Sequence, residues 1–419
     1  MEIFVVGGGP AGMMAAAKAA EKNHVTLLEK NPSLGKKLLL TGGGRCNFTN
    51  AEPDNHRLAA FYGQAGRFLL SPLSRFSASD ALKFFSLRGM PYKIEDRNRA
   101  FPVSNESRSV LTVLEEYLRE TCVSIKTHTE VTGLLVEEGR CLGVQTRRGP
   151  LRADHVILAT GGTSLPATGS TGDGYRWLKE AGHTVRIPEP SLVPLAVTEK
   201  WVQELAGLSF DEVRLEAWHS QRAFAETGRL LLTHVGLSGP LVLNAATRLA
   251  ALHREAQAQG RELVLRLDFF PRWDGGELDR QLVALIAETP NRLLKSLLSS
   301  WLPPRLVHRV LTLTQLPEVP GRNLTKEERQ RLGRFLKGFP LTFKRLLDAS
   351  KAVVSSGGVS LKEVDFRTMK SLKVQGLSLV GDLLDFDRPT GGFSLQICWT
   401  TAWTAGLALG TEPQGLTSD

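Results

Sequence analysis

Gly7, Gly9 and Gly12 form a G-x-G-x-x-G set inside MEIFVVGGGPAGMMAAAKAAEKNHVTLLEK, Met1 to Lys30. Gly7 permits a tight turn. Gly9 has no Cβ, so a pyrophosphate can approach its backbone, and Gly12 lets a helix pack closely on the preceding strand. Pro10 and Ala11, within the motif, are candidates to line the ligand ahead of that helix, whose free N–H groups and positive dipole end suit phosphates. Glu29 follows about 20 residues on, where a carboxylate can accept from ribose hydroxyls, with Lys30 beside it. This spacing predicts dinucleotide binding. The alternative is a glycine-rich turn that binds nothing.

Three further clusters could hold the rest of such a ligand. Thr41-Gly42-Gly43-Gly44-Arg45-Cys46-Asn47 is a loop whose bare backbone allows flat approach of a ligand, and Arg45 adds a fixed cation. Lys37, just before it, can pair with phosphate. Thr160 and Gly161 end the apolar run HVILAT. Near the C-terminus, Gly381-Asp382 closes another apolar run, and Thr390-Gly391-Gly392-Phe393-Ser394 opens an Ala- and Trp-containing helix. Asp382 can accept from a polyol hydroxyl, and the helix N-terminus can face a flavin ring where negative charge develops on reduction. An NAD site needs no such second element, so the cofactor reads as FAD. Two residues are candidates for catalysis. Cys46 is either a proton donor or a buried small apolar residue. His234, in LLTHVGLSGP, either orients or protonates a substrate or is a satisfied turn residue.

These residues need elements to place them. Ile3 to Val6 and Val25 to Leu28 read as strands buried on both faces, with Met13 to Ala20 a helix between them. Residues 51–119 read as mainly helical, broken at Arg99 to Pro102. Val123 to Thr127, Glu130 to Glu137 and Cys141 to Arg147 alternate like antiparallel strands, which would set Val131 near an adenine. IPEPSLVPL reads as the exit from a first domain, followed by short strands and then, from Asp279 to Lys337, helices with Pro breaks. Leu341 to Val354 returns as strands, and Leu377 to Val380 resumes the first domain.

The 419 residues are enough for two or three domains, and 42% hydrophobic with 23% charged content is ordinary for a globular protein. No window approaches the ~18 apolar residues that span a bilayer, and Cys46, Cys122, Cys141 and Cys398 are scattered. Together these imply a cytoplasmic protein without zinc or disulfides, and no membrane partner. Of the net charge of +9, the segment from Asn291 to Arg345 carries all: about twelve basic residues against three acidic. That segment is either a surface for phosphates, nucleic acid included, or a solvated helical face.

VVGGGPAGMMAA, LLEKNPSLGKK, TGGGRCNFTN, ATGGTSLPATGSTGDGY, LLTHVGLSGP, SSGGVSLKEV and VGDLLDFDRPTGGFSLQ together resemble one bacterial family. It is the NAD(P)/FAD-dependent oxidoreductase family that groups an aminoacetone oxidase, a bile-acid enoyl reductase and a 23S ribosomal RNA dihydrouridine synthase. The resemblance covers nearly the whole chain. It implies an α/β fold: a split Rossmann-like FAD-binding domain (1–190 and 355–419) interrupted by a β-barrel-like domain (191–275, last strands 341–354) and a basic helical domain (276–340). It also implies FAD as cofactor, NAD(P)H as transient reductant, and reduction of a uridine in 23S ribosomal RNA. A small amine or enone substrate, or a non-catalytic RNA-binding flavoprotein, are the alternatives. Ser394 stands where the family usually has Asn, and Phe393 where Tyr is common.

Overall fold

Continuous apolar runs become buried parallel strands. The computed structural model describes residues 1–347 and 354–410, and the chain divides into two units, Met1–Pro190 with Val353–Asp419, and Ser191–Ala352.

In the first unit β1 (Glu2–Val6) lies between β2 (His24–Leu28) and the strand His155–Leu158, parallel to both, with Val5 opposite Leu27 and Ile157. Ser124–Lys126 extends the sheet beyond β2, and Leu377–Leu379 extends it beyond His155–Leu158, again in parallel. Two short antiparallel strands complete seven. The chain leaves β1 for one neighbour and returns much later for the other, so a topological switch point forms at the carboxyl end of β1. Open α/β sheets hold ligands there. The helix α1 (Pro10–Ala20) is buried from Met13 to Ala17. The helix Phe393–Gly410 packs on it closely. A Cβ at Gly406 would lie 2.7 Å from Lys18 Cβ and 2.9 Å from the Ala19 nitrogen.

Two sequence expectations change here. Ser124–Lys126 belongs to the main sheet, and the antiparallel meander is Val131–Glu137, Arg140–Thr146 and Gly149–Arg152. Alternation alone does not say which sheet a short exposed strand joins. Arg99–Pro102 does more than break helices: it is the middle strand of a small sheet with Thr49–Asn50 and Tyr92–Glu95.

The second unit is a closed six-stranded barrel, in the order Leu195–Val197, Gly236–Ser238, Arg222–Leu232, Ser209–Trp218, Val264–Asp268, Phe339–Leu346. The helices Gly275–Glu288, Leu294–Leu298, Pro304–Thr314 and Lys326–Leu336 do not form a separate domain. Their Leu278, Leu306, Val310, Leu332 and Leu336 share one core with Leu265, Leu267 and Phe339 of the barrel. The helices also pack on one another, Gly275–Glu288 on Lys326–Leu336 and Leu294–Leu298 on Pro304–Thr314, so their apolar stripes extend the barrel core. The last barrel strand ends at Leu346, and residues 348–353 of the expected strand lie outside the described residues. Among the described residues no helix is long and apolar enough to cross a membrane, and no His, Cys, Asp or Glu group could hold a metal ion.

Candidate functional site

The cleft at the switch point encloses about 1240 Å³ with its open mouth, and lies wholly within the first unit. It is built from the glycine turn outward. Gly7 has φ +109°, and a Cβ there would lie 2.6 Å from the Ala159 carbonyl oxygen. A Cβ on Gly12 would lie 1.8 Å from the Gly7 oxygen, so α1 can abut the strand only with glycine there. Gly9 differs. Its backbone is extended and a Cβ would meet nothing within 4 Å. Its missing side chain makes room in the cleft. α1 has no side-chain cap on Gly9, so its first N–H groups stay available for an anion. Pro10 and Ala11 line the cleft beside them.

Glu29 is buried and its carboxylate holds the turn as well as facing the cleft. It accepts from the Gly8 N–H at 2.6 Å and from the backbone and side-chain N–H groups of Asn31, both at 2.7 Å. A carboxylate has about four acceptor positions, so capacity remains for a ribose hydroxyl. Lys30 reaches across the mouth to Asp173 at 2.9 Å and Thr171 at 2.7 Å, and Asn31 donates to the Thr168 carbonyl at 3.1 Å. Val131 lines the same end.

At the other end Gly381 has φ +70° and a Cβ there would lie 2.8 Å from Ala11 Cβ, which brings the last parallel strand against the first turn of α1. Asp382 lines the cleft between two cations: Arg388, hydrogen-bonded to its Oδ1, and Lys37, whose Nζ is 3.5 Å from Oδ2 and donates to Ser164 at 2.6 Å. Burial alone would raise the Asp382 pKa, but Arg388 and Lys37 hold it below the usual carboxylate value. Thr41, Gly161, Ser394, Leu395 and Cys398 complete this end. Thr160 lines the cleft too, and its buried Oγ1 has no hydrogen-bond partner.

The second glycine loop does less than its composition suggests. Gly42 and Gly43 are left-handed and exposed, outside the cleft lining. Arg45 is not a free cation. It pairs with Glu95, donates to Asn105 and stacks on Phe101 with its guanidinium carbon 4.3 Å from the ring centre. Asn47 ties the loop to the C-terminal glycines: its amide donates to the Ala100 and Thr49 carbonyls at 3.1 and 2.9 Å and accepts from the Gly392 N–H at 3.0 Å. Gly391 and Gly392 have positive φ, and a Cβ on Gly392 would lie 2.3 Å from the Thr49 carbonyl carbon. These glycines allow backbone to pack on backbone. Phe393 is buried against Phe61 and Tyr62 and is not in the cleft lining.

Both expected catalytic residues need correction or relocation. Cys46 has no exposed surface and sits in the apolar core, and burial pushes its thiol up to about 12 despite a hydrogen bond with Thr41. A proton donor must reach its acceptor, so Cys46 is a packing residue. Of the four free cysteines only Cys122 is exposed. A thiol titration of the native protein should therefore read one group, and four after unfolding. Cys46→Ala should leave turnover unchanged, and a native Cys46 that reacts would reverse this assignment. His234 is exposed in the turn between two strands of the barrel, in the other unit.

The sequence reading missed Gly8, Asn31, Thr171, Asp173 and Cys398. The polar stretch from Thr168 to Asp173, dense in Gly, Ser and Thr, was the available signal for two of them. Gly9's open cradle, the uncapped helix and the unpartnered Thr160 hydroxyl fit a dinucleotide, and the second wall at Asp382 and Ser394 fits the longer FAD.

Residues 1–408 match the family described as HI0933-like protein Rossmann domain. A 3-dehydro-bile acid delta(4,6)-reductase of Clostridium scindens is 32% identical over 98% of this chain and 99% of its own. A ribosomal RNA dihydrouridine synthase of Escherichia coli is 29% identical over 97% of this chain and 98% of its own. Among solved structures, a 3-ketosteroid delta1-dehydrogenase from Sterolibacterium denitrificans aligns with TM-score 0.57 over 97% of this chain and 99% of that one, at 13% identity, a likeness of fold alone. With the cleft and these full-length matches together, the chain belongs to the HI0933-like Rossmann-domain family of FAD-dependent oxidoreductases.

Proposed function

We propose that the protein reduces a uridine of 23S ribosomal RNA to dihydrouridine, using FAD and NAD(P)H. The full-length likeness to a ribosomal RNA dihydrouridine synthase supports the substrate. The observation that carries it is the excess of exposed cations in the second unit between Asn291 and Arg345. Of the twelve cations between Asn291 and Arg345, Arg305, Arg309, Arg329, Lys337 and Arg345 bind protein oxygens. The other seven are exposed, Arg331 and Arg334 among them. A small substrate needs no such excess, whereas an RNA backbone gains from it through counterion release. Arg329 is tied to Asp279 at 2.6 Å and is not one of the exposed cations.

FAD in the cleft supplies the hydride chemistry. The chain does the rest by position. The α1 N-terminus and Gly9 take the pyrophosphate, Glu29 the ribose, and Asp382 a polyol hydroxyl. The N-terminus of the helix Phe393–Gly410 gives the far end a positive potential.

A second reading, reduction of a small steroid-like enone, is favoured by the 32% identity to the bile-acid reductase. Both substrates carry a carbon–carbon double bond conjugated to a carbonyl, so the site chemistry is shared. Nucleoside mass spectrometry of ribosomal RNA separates the two. A deletion strain should lose a dihydrouridine that the wild type carries, and retention of it would favour the enone. Arg331→Ala with Arg334→Ala should weaken RNA binding and lower its salt slope by about 1 for each lost phosphate contact, with FAD still bound. An unchanged slope would make these residues a solvated face.

A further inference from the structure

Arg388 places a buried charge behind the cleft wall that dinucleotide binding does not require. Its side chain is 2% exposed. It donates from all three nitrogens: Nε to Ser394 Oγ at 3.1 Å, Nη1 to the Phe386 carbonyl at 2.6 Å, and Nη2 to Asp382 Oδ1. Asp382 also faces Lys37. Lys37 and Arg388 flank the half-buried Asp382, the carboxylate that lines this end of the cleft, while Asp385 lies outside the lining and within reach of Arg388.

Arg388 also decides what Ser394 can do. A guanidinium only donates, so the Ser394 oxygen accepts from Nε. With that lone pair taken, the hydroxyl turns its hydrogen away from Arg388, and the open side of Ser394 is the cleft. The bond from Arg388 occupies one of the two lone pairs and leaves the hydroxyl hydrogen free to donate into the cleft. An Asn placed here would donate through its amide without help from Arg388.

We propose that Arg388 is a positioning residue that holds Ser394 with its hydroxyl hydrogen free to donate toward the flavin and sets a buried cation behind this end of the cleft. Reduction adds negative charge to a flavin, so both effects favour the reduced form. This rests on the reading of the cleft as an FAD site.

The test uses the purified holoprotein equilibrated with a redox dye of known potential. The readouts are flavin content, far-ultraviolet circular dichroism and the ratio of reduced to oxidised flavin at fixed dye poise. Ser394→Ala should keep FAD and the fold, and lower that ratio about tenfold, the usual scale for one hydrogen bond. Arg388→Gln should lower it at least as far, and adding Ser394→Asn to Arg388→Gln should recover the donor's share. A purely structural role would change flavin content or stability and leave the poise alone. If Ser394→Ala and Arg388→Gln hold FAD at wild-type poise, the proposal is overturned. If Arg388→Gln fails to fold, Ser394→Ala decides alone. A wild-type protein that neither contains nor takes up FAD would instead overturn the reading of the cleft.

Discussion

Gly9→Val should give a folded, colourless protein. The wild type should be yellow and release FAD on denaturation. The variant should lose FAD affinity by at least about 10²-fold, while the Tm of its apoprotein stays within a degree or two of the wild-type apoprotein's. The reason lies in where the new side chain goes. Gly9 has φ −79° and ψ 179°, a conformation any residue adopts, and a Cβ there meets nothing within 4 Å. The fold therefore has no objection to valine. The added methyl groups fill the space that the pyrophosphate needs, and they shield the first N–H groups of α1. Flavin absorbance and differential scanning calorimetry of the two proteins check both halves. A yellow Gly9→Val would show that the cleft does not hold a dinucleotide at this turn.

Gly12→Val, three residues on, should do the opposite in order of events. It should destabilise the protein itself, by about 3 kcal/mol or more, with FAD lost as a consequence. A Cβ here would lie 1.8 Å from the Gly7 carbonyl oxygen and 3.3 Å from Ala159 Cβ. Neither neighbour is the end of a flexible chain, so the helix would have to move off the sheet. α1 is the helix against which both the sheet and the helix Phe393–Gly410 pack, so a shift would spread through the core. Urea unfolding of the apoprotein reads the loss directly. A Gly12→Val midpoint equal to that of wild type would show that α1 can move without cost.

The contrast between these glycines shows what was legible beforehand. G-x-G-x-x-G between a strand and a helix gave the turn, the helix and the acid at Glu29, because each follows from local spacing. The strand Leu377–Leu379 and its helix were legible for the same reason. Contacts across the chain were not. Nothing near Arg45 in sequence announces Glu95 or Asn105, yet those partners decide that Arg45 is a structural cation. Cys46 among glycines was open to two readings, proton donor or packing residue, and the core that decides between them comes from distant residues. The charge excess from Asn291 to Arg345 was real as composition, and ion pairs with Asp268, Asp279 and Glu204 absorb part of it. Glu29 was placed correctly and given too small a task, since its bond to Gly8 spans 21 residues.

The insertion of Ser191–Ala352 has a consequence for the order in which the chain can fold. The strand Leu377–Leu379 must find His155–Leu158 across more than 200 residues, a slow search if the whole intervening chain is loose. The barrel shortens that search. Its first strand, Leu195–Val197, pairs with its last, Phe339–Leu346, and the Leu347 N–H meets the Pro194 carbonyl at 2.9 Å. Once it closes, entry and exit points that were about 150 residues apart are neighbours. The barrel then acts as a clasp on the split domain, and a lesion in its seam would slow flavin uptake without touching a residue that binds flavin. The wall made by Asp382, Ser394 and Cys398 follows the inserted unit in the chain, so a nascent chain holds no complete cofactor site until the barrel has been made.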